Sequence, residues 1–251
     1  MSELSGVAAV WRREFIVFKR EVSRVISSIV SPLMWLLLFG SGLSGAVTVS
    51  GTDYQTFIFP GIVIMSVLFT SIFYGVYIIW DRKIDVLKAV LVAPVSRVAI
   101  VLGRTLGGVT TAVLQGVLFI VVAIPAGLKV PGFSGFFLTV FFMIFIAGAF
   151  VNLGLSIASL MRDMQGFSIV MNFIMVPLLL LSGAMFPVEQ FPAWVRALCY
   201  INPLFYGVDG LRYSLIGMSK FSPLIDAAVL FSFCSFMVGL GAFLFSRSDV
   251  D

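Results

Sequence analysis

Six apolar stretches, at about 26–47, 57–80, 98–124, 134–160, 167–184 and 224–245, constrain this chain more than anything else in it. A helix rises about 1.5 Å per residue and the hydrocarbon core of a bilayer is about 30 Å thick, so roughly 20 apolar residues make a span. The fifth stretch is short, and the strip after it, to about residue 216, is too broken to be an ordinary loop. Composition agrees, with 60% of the 251 residues hydrophobic and only 11% charged, at a mean hydropathy of +1.12. A soluble domain carries about 25% charged residues, so most of this surface belongs in lipid. The expected class is an all-α integral membrane protein of six transmembrane helices. No cleavable signal peptide is expected, because charge is scattered through the first 25 residues.

Lysine and arginine set the orientation, since positive charge resists translocation. One side collects Arg12, Arg13, Lys19, Arg20 and Arg24, then Arg82, Lys83, Lys88, Arg97 and Arg104, then Arg162 and Arg247. The other side has Lys129, Arg196, Arg212 and Lys220. Both termini are therefore expected in the cytoplasm, as an even number of spans requires. Within residues 1–25, Val7, Trp11, Phe15, Phe18, Val22 and Val25 recur at three- and four-residue spacing. That spacing predicts an amphipathic helix, with Arg12 and Arg13 off its apolar stripe, lying in the headgroup plane. Such a helix serves as an anchor, and its polar face is also placed to touch a cytoplasmic partner.

Catalytic chemistry has little to work with. The chain has no histidine, and its two cysteines, Cys199 and Cys234, lack metal-ligand spacing. It contains no G-x-x-x-x-G-K-[ST] phosphate loop. The pair Gly107-Gly108 lies within an apolar span, where close helix packing is its expected role. Spans one, two, four and five hold no Asp, Glu, Lys or Arg. Arg104 is expected to snorkel from the cytoplasmic end of span three, and Asp226 lies near the outer end of span six. An ion-driven relay would need ionisable groups near the midplane. Asn152 and Asn172 are polar residues within spans, suited to helix–helix hydrogen bonds or to lining a path.

Two segments outside the spans carry more. The link Asp81-Arg82-Lys83-Ile84-Asp85-Val86-Leu87-Lys88-Ala89-Val90-Leu91-Val92-Ala93-Pro94-Val95-Ser96-Arg97 places Ile84, Leu87 and Leu91 at helical spacing before Pro94 stops the helix. A short cytoplasmic helix with an apolar edge suits a groove on another protein. The strip Ser182-Gly183-Ala184-Met185-Phe186-Pro187-Val188-Glu189-Gln190-Phe191-Pro192-Ala193-Trp194, continuing to Asn202-Pro203-Leu204-Phe205-Tyr206, has too many prolines for one straight span. It reads as a re-entrant helical hairpin over residues 185–216, between spans five and six.

With these segments in view, the chain resembles permease subunits of the ABC type-2 exporter family, which serve drugs, polysaccharides and nodulation factors. The resemblance runs from Phe59-Pro60-Gly61 through Leu91-Val92-Ala93-Pro94-Val95-Ser96-Arg97. It continues through Ser182-Gly183, Phe186-Pro187, Phe191-Pro192, Trp194, Asn202-Pro203, Tyr206, Asp209 and Arg212. Where the family often has Gly-Thr-Leu-Glu in its coupling helix, this chain has Asp85-Val86-Leu87-Lys88, so no salt bridge is carried over to Lys88. The resemblance implies a single transmembrane domain, residues 1–251, without a catalytic or metal site, pairing with a second permease copy, identical or related. It implies no cofactor bound by this chain, with ATP and magnesium held in two copies of a separate ATP-binding subunit. Asp81, Arg82, Ile84, Leu87, Leu91, Pro94 and Arg97 would couple to that subunit, together with the interface helix of Trp11, Arg12, Arg13 and Phe15. Phe186, Pro187, Phe191, Pro192, Trp194, Asn202, Pro203, Tyr206, Asp209 and Arg212 would form an external gate, in a multi-pass protein of a prokaryotic cell membrane. The competing readings are a secondary transporter or channel without an ATPase partner, a membrane-embedded enzyme and a non-transporting scaffold.

Overall fold

The computed structural model describes residues 3–43, 48–49, 51–83, 96–126, 132–161 and 163–247. The fold is almost wholly helical. Helix α1 (Glu3–Arg20) breaks at Glu21 and is followed by α2 (Val22–Trp35), which widens into π-helical turns at Leu36–Ser41. A two-stranded hairpin, Thr48–Val49 paired antiparallel with Thr52–Asp53, leads into α3 (Tyr54–Phe73) and α4 (Val76–Lys83). Then come α5 (Arg97–Ala123), α6 (Phe133–Leu160), α7 (Met164–Leu180), α8 (Ala193–Ile201), α9 (Pro203–Ile216) and α10 (Pro223–Arg247).

Among the described residues, four helical segments are long and apolar enough to cross a membrane: Tyr54–Lys83, Arg97–Ala123, Phe133–Leu160 and Pro223–Phe245. Where the first and fifth spans are expected, the helices are shorter, Ile26–Ser41 and Met164–Leu180. Each carries an internal proline, Pro32 and Pro177, which removes a hydrogen-bond donor from the helix. At about 1.5 Å per residue, both fall short of a straight 30 Å crossing.

Helix α6 is the hub and packs on α3, α4, α5, α7, α9 and α10. Its core residues Phe142, Ile146, Phe150 and Val151 are fully buried, as are Val63, Val67, Leu68 and Ile72 of α3. By contrast α10 turns most of its surface outward, as a helix facing lipid does. Glycines at the crossing of α6 with the end of α3 let backbones meet. A Cβ on Gly154 would lie 2.3 Å from the carbonyl oxygen of Ile72, and one on Gly75 would lie 2.4 Å from that of Gly154. Apolar side chains gain little by leaving lipid for one another, so backbone approach of this kind supplies van der Waals contact between membrane helices. The chain turns at Tyr74–Gly75 where this crossing occurs, splitting α3 from α4.

Asn152 stands at the α5–α6 contact, accepting from Thr105 Oγ1 at 3.1 Å and donating to Gly148 O at 2.8 Å. Asn172 is exposed and donates to Ser168 O of its own helix at 2.8 Å. Cys199 and Cys234 are both free thiols. Residues 182–216 fold as two short helices, α8 and α9, joined at Asn202.

The Gly75–Gly154 crossing yields a direct expectation. Gly154→Val should destabilise the protein by about 1–3 kcal/mol through overpacking, read as a lower thermal unfolding midpoint in detergent. Gly42→Ala, with nothing within 4 Å of the added Cβ, should leave that midpoint unchanged.

Candidate coupling site and external strip

The stripe of α1 that was expected to lie in the headgroup plane is not the face that docks on the bundle. The face that docks on α5 is centred on Gly6, Val10 and Glu14, with Gly6 and Glu14 buried. Glycines on α5 make the seat. A Cβ on Gly103 would fall 2.7 Å from Val10 Cβ, and one on Gly107 would fall 2.6 Å from Glu14 Cβ. Gly107 therefore packs closely, as expected, while its neighbour Gly108 faces Val151 of α6. Trp11 stays exposed, stacked on Phe15 at 6.1 Å, and its indole N–H donates to Thr110 Oγ1 at 3.1 Å.

The rotation of α1 is explained by charge. Arg13 forks onto Asp81 at the end of α4, Nη2 to Oδ1 at 2.9 Å and Nη1 to Oδ2 at 3.1 Å. Arg104 of α5 donates from Nη2 to Asp81 Oδ2. Glu14 accepts from Arg13 Nη1 at 3.1 Å and from Tyr74 OH at 2.7 Å. Three helices thus converge on one carboxylate that is 4% exposed. The hydrogen bond to Asp81 raises the Arg13 guanidinium above its ordinary value, against the opposing effect of burial. Arg104 is 1% exposed and does not snorkel; its long side chain turns inward to the acid. A buried ion pair of this sort is tolerated where hydrogen bonds satisfy it. Arg104 Nε and Nη1 are buried without a partner among the described residues.

The neighbouring Arg82 does other work. Its Nη1 donates to Met161 O at 3.1 Å and its Nη2 to Ser159 O at 3.4 Å, satisfying carbonyls at the end of α6 where a helix has unpaired acceptors. Ser96 caps α5, accepting from Ala99 N at 3.1 Å, and donates to Glu3 Oε2 of α1 at 2.5 Å. Helix α1 is consequently tied to the chain on both sides of the 84–95 segment. Arg97 opens α5 and is exposed, as is Arg12. Ile84, Leu87, Leu91 and Pro94 lie outside the described residues.

The strip over residues 182–216 separates into two groups. Asn202, Tyr206, Asp209 and Arg212 hold it together. Asn202 Nδ2 donates to Leu178 O at 2.7 Å, and its Oδ1 caps α9 by accepting from Leu204 N at 3.0 Å. Pro203 follows at the first position of α9, where a proline lacks only a donor the helix cannot use. Tyr206 OH donates to Tyr200 O at 2.9 Å. Asp209 accepts from the backbone of Lys220 at 2.9 Å and of Phe221 at 2.8 Å. Arg212 Nη2 donates to Gly183 O at 2.8 Å while the guanidinium lies 4.2 Å over the Phe57 ring. Phe186, Pro192 and Trp194 instead face outward, and Pro187 and Phe191 are half-buried.

Glu14, Tyr74, Glu189 and Lys220 are additions that the sequence reading did not single out. Lys220 Nζ donates to Glu189 Oε1 at 2.5 Å, latching the α9–α10 loop to the strip. Burial pushes the Glu189 carboxyl up, but hydrogen bonds from Lys220 and the backbone, with the charges of Lys220 and Arg212, hold it below its usual value. The signal that could have found the first cluster was Arg104 itself. A cation in an apolar span calls for a partner.

The sequence profile of the ABC-2 type transporter family matches residues 5–216, from α1 to the end of α9. The chain belongs to this family. It is 26% identical to the putative transport permease ycf38 of Cyanophora paradoxa, over 92% of this chain and 79% of the relative. It is 30% identical to nodulation protein J of Rhizobium meliloti (strain 1021), over 88% and 84%. To the inner membrane transport permease YadH of Escherichia coli (strain K12) it is 26% identical, over 85% and 84%. As a member of the ABC-2 family with long apolar helices, it is a membrane-embedded transport protein of the permease type.

Two outcomes test this geometry in the ABC-2 chain. Asp81→Ala strands two arginines and should cost about 3–5 kcal/mol of stability, whereas Asp81→Leu combined with Arg104→Met should recover most of it, both read by thermal unfolding. At the strip, a depressed carboxyl contributes stability above its unfolded value and loses it as the pH falls through the folded one. The Lys220–Glu189 latch should therefore hold at neutral pH and weaken on acidification below the ordinary glutamate value of 4.5. Thiol labelling of a Met218→Cys reporter, half-buried beside the latch, should rise over that range with Glu189 intact, but be high at every pH when Glu189→Gln is added.

Proposed function

We propose that this chain is the permease subunit of an ATP-binding cassette exporter. Two permease copies would enclose the path and two separate ATP-binding subunits would dock on the cytoplasmic side. Hydrolysis of ATP, with its magnesium, would belong to those subunits and not to this chain. The shorter helices Ile26–Ser41 and Met164–Leu180 would complete six spans, tilted or helped by local bilayer thinning. Both termini would lie in the cytoplasm of a cell-membrane protein, a reading that the lysine and arginine bias supports. The helices α8 and α9 would then sit in the outer leaflet as the external gate, with Phe186, Phe191 and Trp194 on its outward side.

One observation supports the coupling assignment above the others. Helix α1 is joined to residues flanking the 84–95 segment, through Arg13–Asp81 before it and Glu3–Ser96 after it. A push on that segment from a closing ATP-binding subunit would thus be borne by α1 and by Arg104 of α5 together. Such a push shifts the permease only if the segment is gripped differently in the two states. Ile84, Leu87 and Leu91 supply the apolar edge for that grip, and Pro94 ends it.

The test is ATP turnover and transport in lipid nanodiscs, with and without the candidate ATP-binding protein. This chain alone should hydrolyse no ATP, and the pair should turn over ATP and transport. Leu87→Asp should remain embedded yet lose most transport per ATP consumed. Normal transport by Leu87→Asp would remove Leu87 from the joint, and flux that follows membrane potential without any ATPase would overturn the reading as a whole.

A further inference from the structure

A cavity of about 330 Å3 opens between the start of α3, the turn before α8 and the loop after α9, and Phe57, Glu189, Asp209, Arg212, Ser219 and Lys220 are among the residues that line it. Its walls hold two cations and two carboxylates, and these four groups differ in the bonding capacity they have left. Asp209 is spent, since its oxygens accept from the main chain of Lys220 at 2.9 Å and of Phe221 at 2.8 Å. Arg212 is not. Its Nη2 donates to Gly183 O at 2.8 Å, but its Nε has no partner, and no carboxylate bonds to the guanidinium among the described residues. Lys220 Nζ donates to Glu189 Oε1 at 2.5 Å, and an ammonium has three hydrogens to give. A carboxylate has about four acceptor sites, and the Glu189 side chain is 61% exposed. The cavity therefore offers unused donors on Arg212 and Lys220 and unused acceptors on Glu189.

That pattern selects a ligand by charge. A simple anion would meet Glu189 and a simple cation would meet Arg212 and Lys220, and like-charge contact disfavours each. A zwitterion puts an opposite charge at both ends. Guanidinium and ammonium donors suit a phosphate at one of them. The aromatic faces decide the other. Arg212 already lies over the Phe57 ring at 4.2 Å, and Lys220 over the Tyr200 ring at 5.2 Å. With these faces covered by the protein's own cations, a quaternary ammonium lacks the aromatic surface that would hold it. A primary ammonium needs none, because it donates hydrogen bonds that Glu189 can accept.

We propose that this cavity binds an ammonium–phosphate zwitterion of the phosphoethanolamine type, with the phosphate on Arg212 and Lys220 and the primary ammonium on Glu189. The cavity takes a head of this size and leaves any acyl chains outside. Bound there, the head would bridge the loop at Lys220 and the turn at Glu189 to Arg212 of α9, and so hold the strip closed. That the head belongs to a lipid of the outer leaflet rests on the placement of the strip proposed above; that the cavity binds it does not.

The experiment is calorimetric titration of the purified chain in maltoside micelles, without any ATP-binding subunit. The probes are dihexanoyl phosphatidylethanolamine and the phosphatidylcholine and phosphatidylglycerol with the same chains. The ethanolamine lipid should bind about 10-fold or more tightly than either of the others, the range of one hydrogen bond to a charged group. Soluble glycerophosphoethanolamine separates the sources. Competition by it supports a cavity that reads the head alone, and binding confined to the lipid supports a head presented by the leaflet. Glu189→Gln should weaken binding about 10-fold. Because that change also loosens the Lys220 latch, Ser219→Trp is the deciding variant. Ser219 is exposed, so a ring there should fill the mouth of the cavity and abolish binding while keeping the parent's thermal midpoint. Equal binding of the choline lipid, tighter binding of the glycerol lipid, or ethanolamine affinity that survives Ser219→Trp overturns the proposal, as does binding of none of the three. Because neither ATP nor transport enters the titration, a negative result here leaves the permease reading standing, and loss of coupling in the earlier test leaves this site standing.

Discussion

Asp81 is the point on which one end of this molecule depends. A carboxylate nearly out of contact with solvent is costly to ionise unless cations come to it. Here two do, from helices far apart in sequence. Arg13 brings α1 to the bundle, and Arg104 fixes the register of α5 against α4. The small residues Gly103 and Gly107 make those approaches sterically feasible. Charge thus decides which face of α1 turns inward, and glycine decides how close it can come. Neither alone would seat the helix.

The position of that cluster is what supports the coupling role proposed for it. Asp81 lies at the last turn of α4, three residues before the 84–95 segment, and Ser96 lies just after it. Both are held to α1 by side-chain hydrogen bonds. The same helix α4 is anchored to the end of α6 by Arg82, so the kinked α3–α4 unit connects the Asp81 cluster to the central helix of the core. A rigid, closely packed core transmits displacement poorly by gradual deformation and well by movement of whole elements. Glycine-mediated contact at Gly75 and Gly154 sets the backbone crossing where α3 becomes α4.

At the opposite end the strip between α7 and α10 is organised differently. Backbone groups, not opposing charges, do most of the holding: Asn202, Asp209 and Arg212 each bond to main-chain atoms of another segment. The aromatic rings of Tyr200, Phe205, Tyr206 and Phe221 fill the space between them at 5.4–6.0 Å. The latch from Lys220 to Glu189 is the exposed part of this arrangement and is open to screening by salt. A strip held by main-chain bonds tolerates sequence change on its outward face, where Phe186, Pro192 and Trp194 stand.

The sequence by itself determined the solvent, the class and the family. Long apolar runs with charge confined to their ends admit little besides membrane helices, because every backbone group in lipid must be bonded within its own segment. Ordered motifs along the chain, from Leu91-Val92-Ala93-Pro94 to Asp209 and Arg212, sufficed to point to ABC-2 permeases. Asn202-Pro203 starts α9 through a side-chain cap and a first-position proline, a local signal that depends only on neighbours in sequence. Which face of α1 would dock was decided only in three dimensions. The apolar stripe of Trp11 and Phe15 was visible as a pattern, but Glu14 and Arg13 were drawn inward by partners 60 and 68 residues away. Arg104 illustrates the same limit. Its position near a helix end suggested escape to the interface, and only the packing of α4 alongside α5 placed an acid within its reach. Periodicity reports what a helix could bury, whereas long-range charge pairing and backbone clearance decide what it does bury.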